Sequence, residues 1–271
     1  MKQITLPPGV LNYLDEGAGT PLLLLHGNPG DHRDFDAIRP RLSARFRVIA
    51  PDWPGYGQTP VPDDPRNSSA MRIGTLFREF FEALQLPPAI LVGNSVGGYA
   101  SMCLALAAPQ RVRALALVSP GGFTPHNFLT RAFCRLKGTE WFTAFTNLRF
   151  ARLYLHRRND WVQQILDRAA REQAGPMQVQ INAAIWRSFV APEHDLRIRG
   201  REIRLPTWLS FGLFDPLIPA NKDCRAASRT LPGAEYHVFR TGHIPFAEAP
   251  EEFMDKLQPF LDRVTVDNRG S

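Results

Sequence analysis

Short apolar runs, each stopped by Gly, Pro, Asp or Ser, recur along the 271-residue chain at Leu22–Leu25, Arg47–Ala50, Ala89–Val92, Ala114–Val118, Thr207–Phe211 and Glu235–Phe239. They carry little polar alternation, which is the pattern of strands covered on both faces. Between them, Arg72–Leu84 and the small-residue run Val96–Ala108 repeat at helical spacing. Strand alternating with helix predicts an α/β protein with a parallel sheet and right-handed crossovers. At the start, Ile4, Leu6, Val10 and Leu14 flank a turn at Gly9 and predict an antiparallel hairpin on the sheet edge.

The alternation breaks after Ser119. From Phe123 to Arg204 no strand pattern occurs, and helical patterns follow one another over Phe128–Lys137, Trp141–His156, Asp160–Glu172 and Met177–Val190. An insert of that length between two strands is a subdomain rather than a loop. We therefore expect a core domain built from residues 1–122 and 205–271 and a helical lid over residues 123–204. Aromatics such as Phe133, Trp141, Phe145, Trp186 and Phe189 recur through the lid. Most are expected in its core, with a minority walling an apolar pocket.

Composition adds two constraints. A 44% hydrophobic, 21% charged chain of this length buries its own core without staples. The net charge of +6 raises nucleic acid, an anionic membrane or an acidic partner. Dividing the charge narrows this, because the lid carries 14 Lys and Arg against 7 Asp and Glu, while the remainder carries 18 against 19. No helix-turn-helix, zinc or RNP-like pattern accompanies the excess, so a nucleic-acid partner is not expected. The arginines Arg149, Arg152, Arg157, Arg158, Arg197, Arg199, Arg201 and Arg204 leave two readings open: recruitment of an anionic or carrier-protein-bound substrate, or a solvated surface.

Cys103, Cys134 and Cys224 form no CxxC pair, which suits a reducing compartment and predicts a cytoplasmic protein without a disulfide framework. No HxH, HExxH or Cys/His cluster suggests a metal, and no cofactor is expected. The N-terminal stretch has no apolar run like a signal sequence, and no apolar stretch approaches the roughly 20 residues of a membrane span.

The strongest local signal is Gly93-Asn94-Ser95-Val96-Gly97-Gly98, directly after one strand run and directly before a helix. This is a G-x-S-x-G turn in a strand–turn–helix context, which exposes a serine hydroxyl on a sharp elbow. A serine hydroxyl is a weak nucleophile and needs a base that a third group orients. Asp215, just past Thr207–Phe211, and His243, just past Glu235–Phe239, supply both, each on a loop at the carboxyl end of a strand.

These motifs resemble the α/β-hydrolase superfamily from about Leu11 to Leu261. His26-Gly27-Asn28-Pro29-Gly30 is similar to its oxyanion loop, Asp52-Trp53-Pro54-Gly55-Tyr56-Gly57-Gln58-Thr59 to its D-x-x-G-x-G-x-S/T loop, and Gly242–Phe253 to its G-H-x-x-x-x-E-x-P-x-x-F signature. The resemblance implies a mostly parallel eight-stranded sheet with helices on both faces and a cap in the position of the insert. It implies Ser95 as nucleophile, His243 as general base and then acid, and Asp215 as its partner. Backbone N–H groups of Val96 and Asn28 would form the oxyanion hole, since Pro29 has no N–H. His26 would brace the oxyanion loop. Glu248 would cap or pack a helix. His32, His126, His156, His194 and His237 lack a nucleophile context and read as structural or solvated.

The expected activity is hydrolysis of a carboxylic ester, thioester or lactone of a small molecule through an acyl-Ser95 intermediate. The oxyanion loop looks like that of dehalogenases and epoxide hydrolases, but those use an Asp nucleophile where Ser95 stands. Gly-Asn-Ser-x-Gly-Gly resembles the carbon–carbon bond hydrolases of aromatic degradation, which place Trp where Ile244 follows His243. Two further possibilities are cofactor-free haloperoxidase or perhydrolase chemistry and a catalytically silent ligand-binding protein.

Overall fold

Each sheet strand from Pro21 onward points successive side chains to opposite faces, and this period of two sorts the core. The computed structural model describes residues 1–7 and 9–266. Its strands are β1 (Lys2–Leu6), β2 (Gly9–Glu16), β3 (Pro21–Leu25), β4 (Arg47–Pro51), β5 (Ala89–Asn94), β6 (Val112–Val118), β7 (Thr207–Gly212) and β8 (Glu235–Phe239). They form one sheet in the order β1-β2-β4-β3-β5-β6-β7-β8. The hairpin β1–β2 and the β2–β4 pair are antiparallel, and every other pairing is parallel.

The helices are α1 (Arg39–Ser43), α2 (Ala70–Ala83), α3 (Val96–Ala107), α4 (Phe128–Lys137), α5 (Glu140–Tyr154), α6 (Asp160–Glu172), α7 (Pro176–Ser188), α8 (Ala220–Thr230), α9 (Pro245–Glu248) and α10 (Pro250–Val266). Leu23, Leu25, Leu91, Leu115 and Leu117 face α2 and α3, meeting Phe77, Phe80 and Met102. Leu22, Leu24, Ile90, Val92 and Ala116 face the other way, onto Phe253, Leu257 and Phe260 of α10. Apolar burial on both faces explains why the central strands read as unbroken apolar runs.

The strand order places the ligand crevice. From β3 the chain moves to β4 on one side, then crosses to β5 on the other. The carboxyl ends of β3 and β5 therefore border a topological switch point, where open α/β sheets leave a crevice. Helices α4 to α7, inserted between β6 and β7, pack against this end. Among the described residues, no helix is long and apolar enough to cross a membrane.

Two features of the insert differ from expectation. The helix predicted to run to His156 ends at Tyr154, because the Glu248 carboxylate accepts the N–H groups of His156 and Arg157, both at 2.8 Å. Trp141 and Phe145 are 66% and 65% exposed rather than in the core. Apolar residues circle α5, while α4, α6 and α7 cover only part of it.

Candidate active site

Ser95 occupies the tight turn between β5 and α3 with φ 53° and ψ −114°, a conformation that costs an L-residue free energy. The turn is possible only because its flanks lack side chains. A Cβ on Gly93 would lie 2.5 Å from the Gly97 carbonyl oxygen, and one on Gly97 would lie 2.2 Å from the Leu25 carbonyl oxygen. The Ser95 N–H donates to the Val118 carbonyl at 3.0 Å, and the Ser95 carbonyl accepts from Gly121 N–H at 2.9 Å. Val96 opens α3, so its N–H has no intrahelical acceptor.

Asp215 and His243 lie on loops at the carboxyl ends of β7 and β8, and their side chains meet. His243 Nδ1 lies 2.6 Å from Asp215 Oδ2, with both residues buried. The other Asp215 oxygen accepts the N–H groups of Leu217 at 2.8 Å and Ile218 at 3.2 Å, which fixes the carboxylate plane. Two backbone bonds tie the loops together, Leu213 N–H to the Phe239 carbonyl and Phe214 N–H to the Thr241 carbonyl.

The backbone of His243 is gripped from three directions. Its N–H donates to the Tyr154 carbonyl at 2.8 Å, at the end of α5. Its carbonyl accepts from Asn94 Nδ2 at 3.3 Å, which also bonds the Val118 carbonyl at 3.1 Å. Glu248 accepts the N–H groups of Gly242 at 2.8 Å and Ile244 at 3.3 Å on either side of it. Glu248 thus joins the histidine loop to the insert, a wider task than capping a helix. Asn94 and the Tyr154 carbonyl are positioning groups that the motifs did not reveal.

The loop after β3 is braced by His26. Its Nε2 accepts the Trp53 N–H at 2.9 Å, its Nδ1 lies 2.8 Å from the Gly27 carbonyl, and its own carbonyl accepts from Trp53 Nε1. Burial holds its pKa down at about 4, so the ring is neutral, as those bonds require. The Asn28 side chain accepts from Tyr56 Oη at 2.8 Å and donates to Asn182 of α7 at 2.9 Å. Asp52 takes His32 and the Gln58 N–H, while Asp31 pairs with Arg33 and Arg168, so the Asp31, His32 and Asp52 cluster is engaged by the chain's own donors.

Asn28, Ser95, Val96 and His243 all border one cavity of about 270 Å³. Phe133, Trp186 and Phe189 of the insert form its apolar side, as expected for part of the aromatic set. Lys222 borders it, but among the described residues no arginine does. Arg197 pairs with Asp195, and Arg157 with Glu252 and the Arg240 carbonyl.

His194 also lines the cavity, and burial holds its pKa down at about 4 against an ordinary 6.5. Between those values the unfolded chain takes up a proton that the native ring refuses, so native stability falls as the pH drops. His194→Phe removes this loss. The stability difference between variant and native protein should shift by on the order of 3 kcal/mol in the variant's favour from pH 7 to pH 4. Urea unfolding at both pH values measures it, and a constant difference would show that His194 is protonated in the fold.

A model of the alpha/beta hydrolase fold matches residues 20–136. A 2-hydroxy-6-oxononadienedioate/2-hydroxy-6-oxononatrienedioate hydrolase of Paraburkholderia phymatum is 30% identical, over 93% of this chain and 90% of that protein. The chain belongs to the alpha/beta-hydrolase superfamily. A 2-hydroxy-6-oxo-2,4-heptadienoate hydrolase of Pseudomonas putida is also 30% identical, covering 92% of each chain. Among solved structures, an esterase from Thermogutta terrifontis superposes with a TM-score of 0.82 at 24% identity, over 97% of this chain and 99% of that one. The mostly parallel eight-stranded sheet is the alpha/beta-hydrolase fold, and the family match together with the hydrolase relatives supports a hydrolase.

Proposed function

We propose that this hydrolase cleaves carboxylic esters of small or medium acyl groups through an acyl-Ser95 intermediate, with helices α4–α7 acting as a cap. The observation that carries the reading is the 2.6 Å His243–Asp215 contact beside a cavity that Ser95 and His243 both border. Ser95 Oγ attacks the ester carbonyl carbon as its proton passes to His243 Nε2. Asp215 holds the ring with Nδ1–H toward itself and stabilises the imidazolium that forms. The N–H groups of Val96 and Asn28 take the negative charge on the carbonyl oxygen. Collapse breaks the C–O bond, and His243 returns the proton to the leaving alcohol. Water then attacks the acyl-Ser95 carbonyl as His243 takes its proton, and collapse breaks the bond to Ser95 Oγ as His243 returns the proton to that oxygen, releasing the acid.

A carbon–carbon bond hydrolase is the second reading, favoured by the two relatives at 30% identity. The same triad would serve it. Against a dioate such as the first relative's name gives stands the cavity wall, which among the described residues offers Lys222 but no arginine to two carboxylates.

A fluorophosphonate probe should label the native protein at Ser95, and prior incubation with an ester substrate should slow the labelling. A kinetic panel of neutral esters beside a 2-hydroxy-6-oxo dienoate separates the two readings. Turnover of the dienoate alone would replace ester hydrolysis by carbon–carbon cleavage, and an unlabelled Ser95 would remove both.

A further inference from the structure

Helix α4 turns its apolar side outward. Phe128, Leu129, Ala132, Phe133 and Leu136 fall at i, i+1, i+4, i+5 and i+8, the stripe that a surface helix ordinarily packs against the core. All five are exposed, Phe128 and Leu129 to 82% and 75%, and the buried positions of the helix are Cys134 and Lys137. Arg131 and Arg135 run along one edge of the stripe and are exposed too. The next helix repeats the combination, because exposed Trp141, Phe145, Arg149 and Arg152 share one face of α5. The two helices carry one carboxylate, Glu140, and Arg66 takes it at 2.6 Å. Among the described residues, none of the four arginines forms an ion pair. Arg131 reaches the His126 carbonyl at 3.4 Å, and Arg149 lies over the Phe145 ring.

A contiguous apolar stripe in water marks an interaction surface. Its position and its charge select the partner. Leu129 and Phe133 belong to the stripe and also border the Ser95 cavity, so the stripe continues the cavity's rim outward. A folded protein seated there would lie across the way in, whereas a fluid apolar phase covers the stripe and still delivers substrate. Arginines without carboxylates repel a second copy of the same face and attract an anionic surface. Exposed Phe, Leu and Trp interleaved with Arg suit the boundary between lipid headgroups and acyl chains.

We infer that α4 and the aromatic face of α5 seat the protein on an anionic lipid surface, with the mouth of the Ser95 cavity turned toward it. The apolar side chains enter the headgroup boundary, and the guanidinium groups meet lipid phosphates. The inference rests on reading the cavity as an ester site, and it narrows the substrate to apolar esters dissolved in lipid.

Ser95→Ala protein, which should leave lipid esters intact, is floated with vesicles of phosphatidylcholine alone and of equal parts phosphatidylcholine and phosphatidylglycerol. It should bind the mixed vesicles about 10-fold or more tightly, and high salt should remove most of that margin. Adding Arg131→Gln with Arg135→Gln should weaken binding to the mixed vesicles about 10-fold. Adding Phe128→Ser should weaken it by a similar factor, roughly 10-fold. These side chains are exposed, and a circular-dichroism melt checks that each variant is folded. Equal binding to both vesicles, binding to neither, or binding that survives the substitutions overturns the inference. Absence of binding together with a dimer that Phe128→Ser dissociates would assign the stripe to a second copy. For the orientation, native protein should hydrolyse p-nitrophenyl decanoate several-fold faster in the mixed vesicles than in phosphatidylcholine vesicles, and equal rates would turn the cavity mouth elsewhere. Turnover of water-soluble p-nitrophenyl acetate, with Ser95→Ala as the blank, tests the ester reading separately, since its failure leaves the vesicle binding standing.

Discussion

Ser95→Ala should lower kcat/KM for an ester by on the order of 10⁴- to 10⁶-fold while the unfolding temperature stays close to that of the native protein. The loss is large because nucleophile, base and orienting carboxylate act as a unit, so removing one member forfeits most of what the set supplies. The fold should tolerate the change because the bonds that hold this turn are made by the Ser95 backbone, to Val118 and Gly121. Alanine accepts the same φ at a cost similar to that of serine. Asp215→Asn should fall in the same direction, since the Leu217 and Ile218 N–H groups hold the amide oxygen at Oδ1, and the NH₂ left at Oδ2 cannot accept the Nδ1 proton and favours the other tautomer. Initial rates on an ester, read beside a circular-dichroism melt, check both variants. An unchanged rate in Ser95→Ala would dismantle the triad assignment.

The elements that this chemistry needs were legible because they are local. The run Glu235–Phe239 is strand β8 to the residue, and Phe128–Lys137 and Asp160–Glu172 are α4 and α6. Gly93 and Gly97 announce a turn that no side chain fits, so the elbow could be read without its surroundings. The His243–Asp215 contact was legible for a related reason, because strand order puts both loops at one end of the sheet.

What escaped depends on partners distant in the chain or without side chains. Tyr154 holds His243 through a backbone carbonyl, which any residue at that position offers. Asn94 lies within the elbow motif itself, yet its bond to the His243 carbonyl spans 149 residues. His194 reads as structural or solvated from sequence, and in the fold it is buried between the rings of Tyr99 and Phe189. Only the fold shows that it borders the cavity of Ser95 and His243. The arginine excess marked the insert correctly as basic, but charge counting could not show that Arg168 points inward.

Arg168 supplies the second large effect. From α6 it reaches two carboxylates in the segment after β3, with Nε 3.1 Å from Asp31 and Nη2 bonded to Asp34. The side chains of all three are at least nine-tenths buried. Such a pair gains little over an apolar contact when intact, because both ions lost their water. Breaking it is another matter. Arg168→Met leaves Asp34 buried without its cation and Asp31 with Arg33 alone, and should cost about 3–5 kcal/mol of stability. For a chain of this size that lowers the unfolding temperature by roughly 10 °C. Asp34→Asn in the same background should recover part of the loss, since the amide has no charge to strand, and the double-mutant cycle isolates that coupling. Arg33 and Glu172 form a more exposed pair from the same segment to the end of α6, and Glu172→Gln, which leaves the Arg33–Asp31 pair in place, should cost under about 1 kcal/mol. Asp31 lies three residues beyond Asn28, so the buried pair anchors the insert to the loop that would bind the oxyanion. A loss below about 1 kcal/mol for Arg168→Met would mean that the apolar contacts of Val162 and Ile165, rather than this ion cluster, hold α6 on the core.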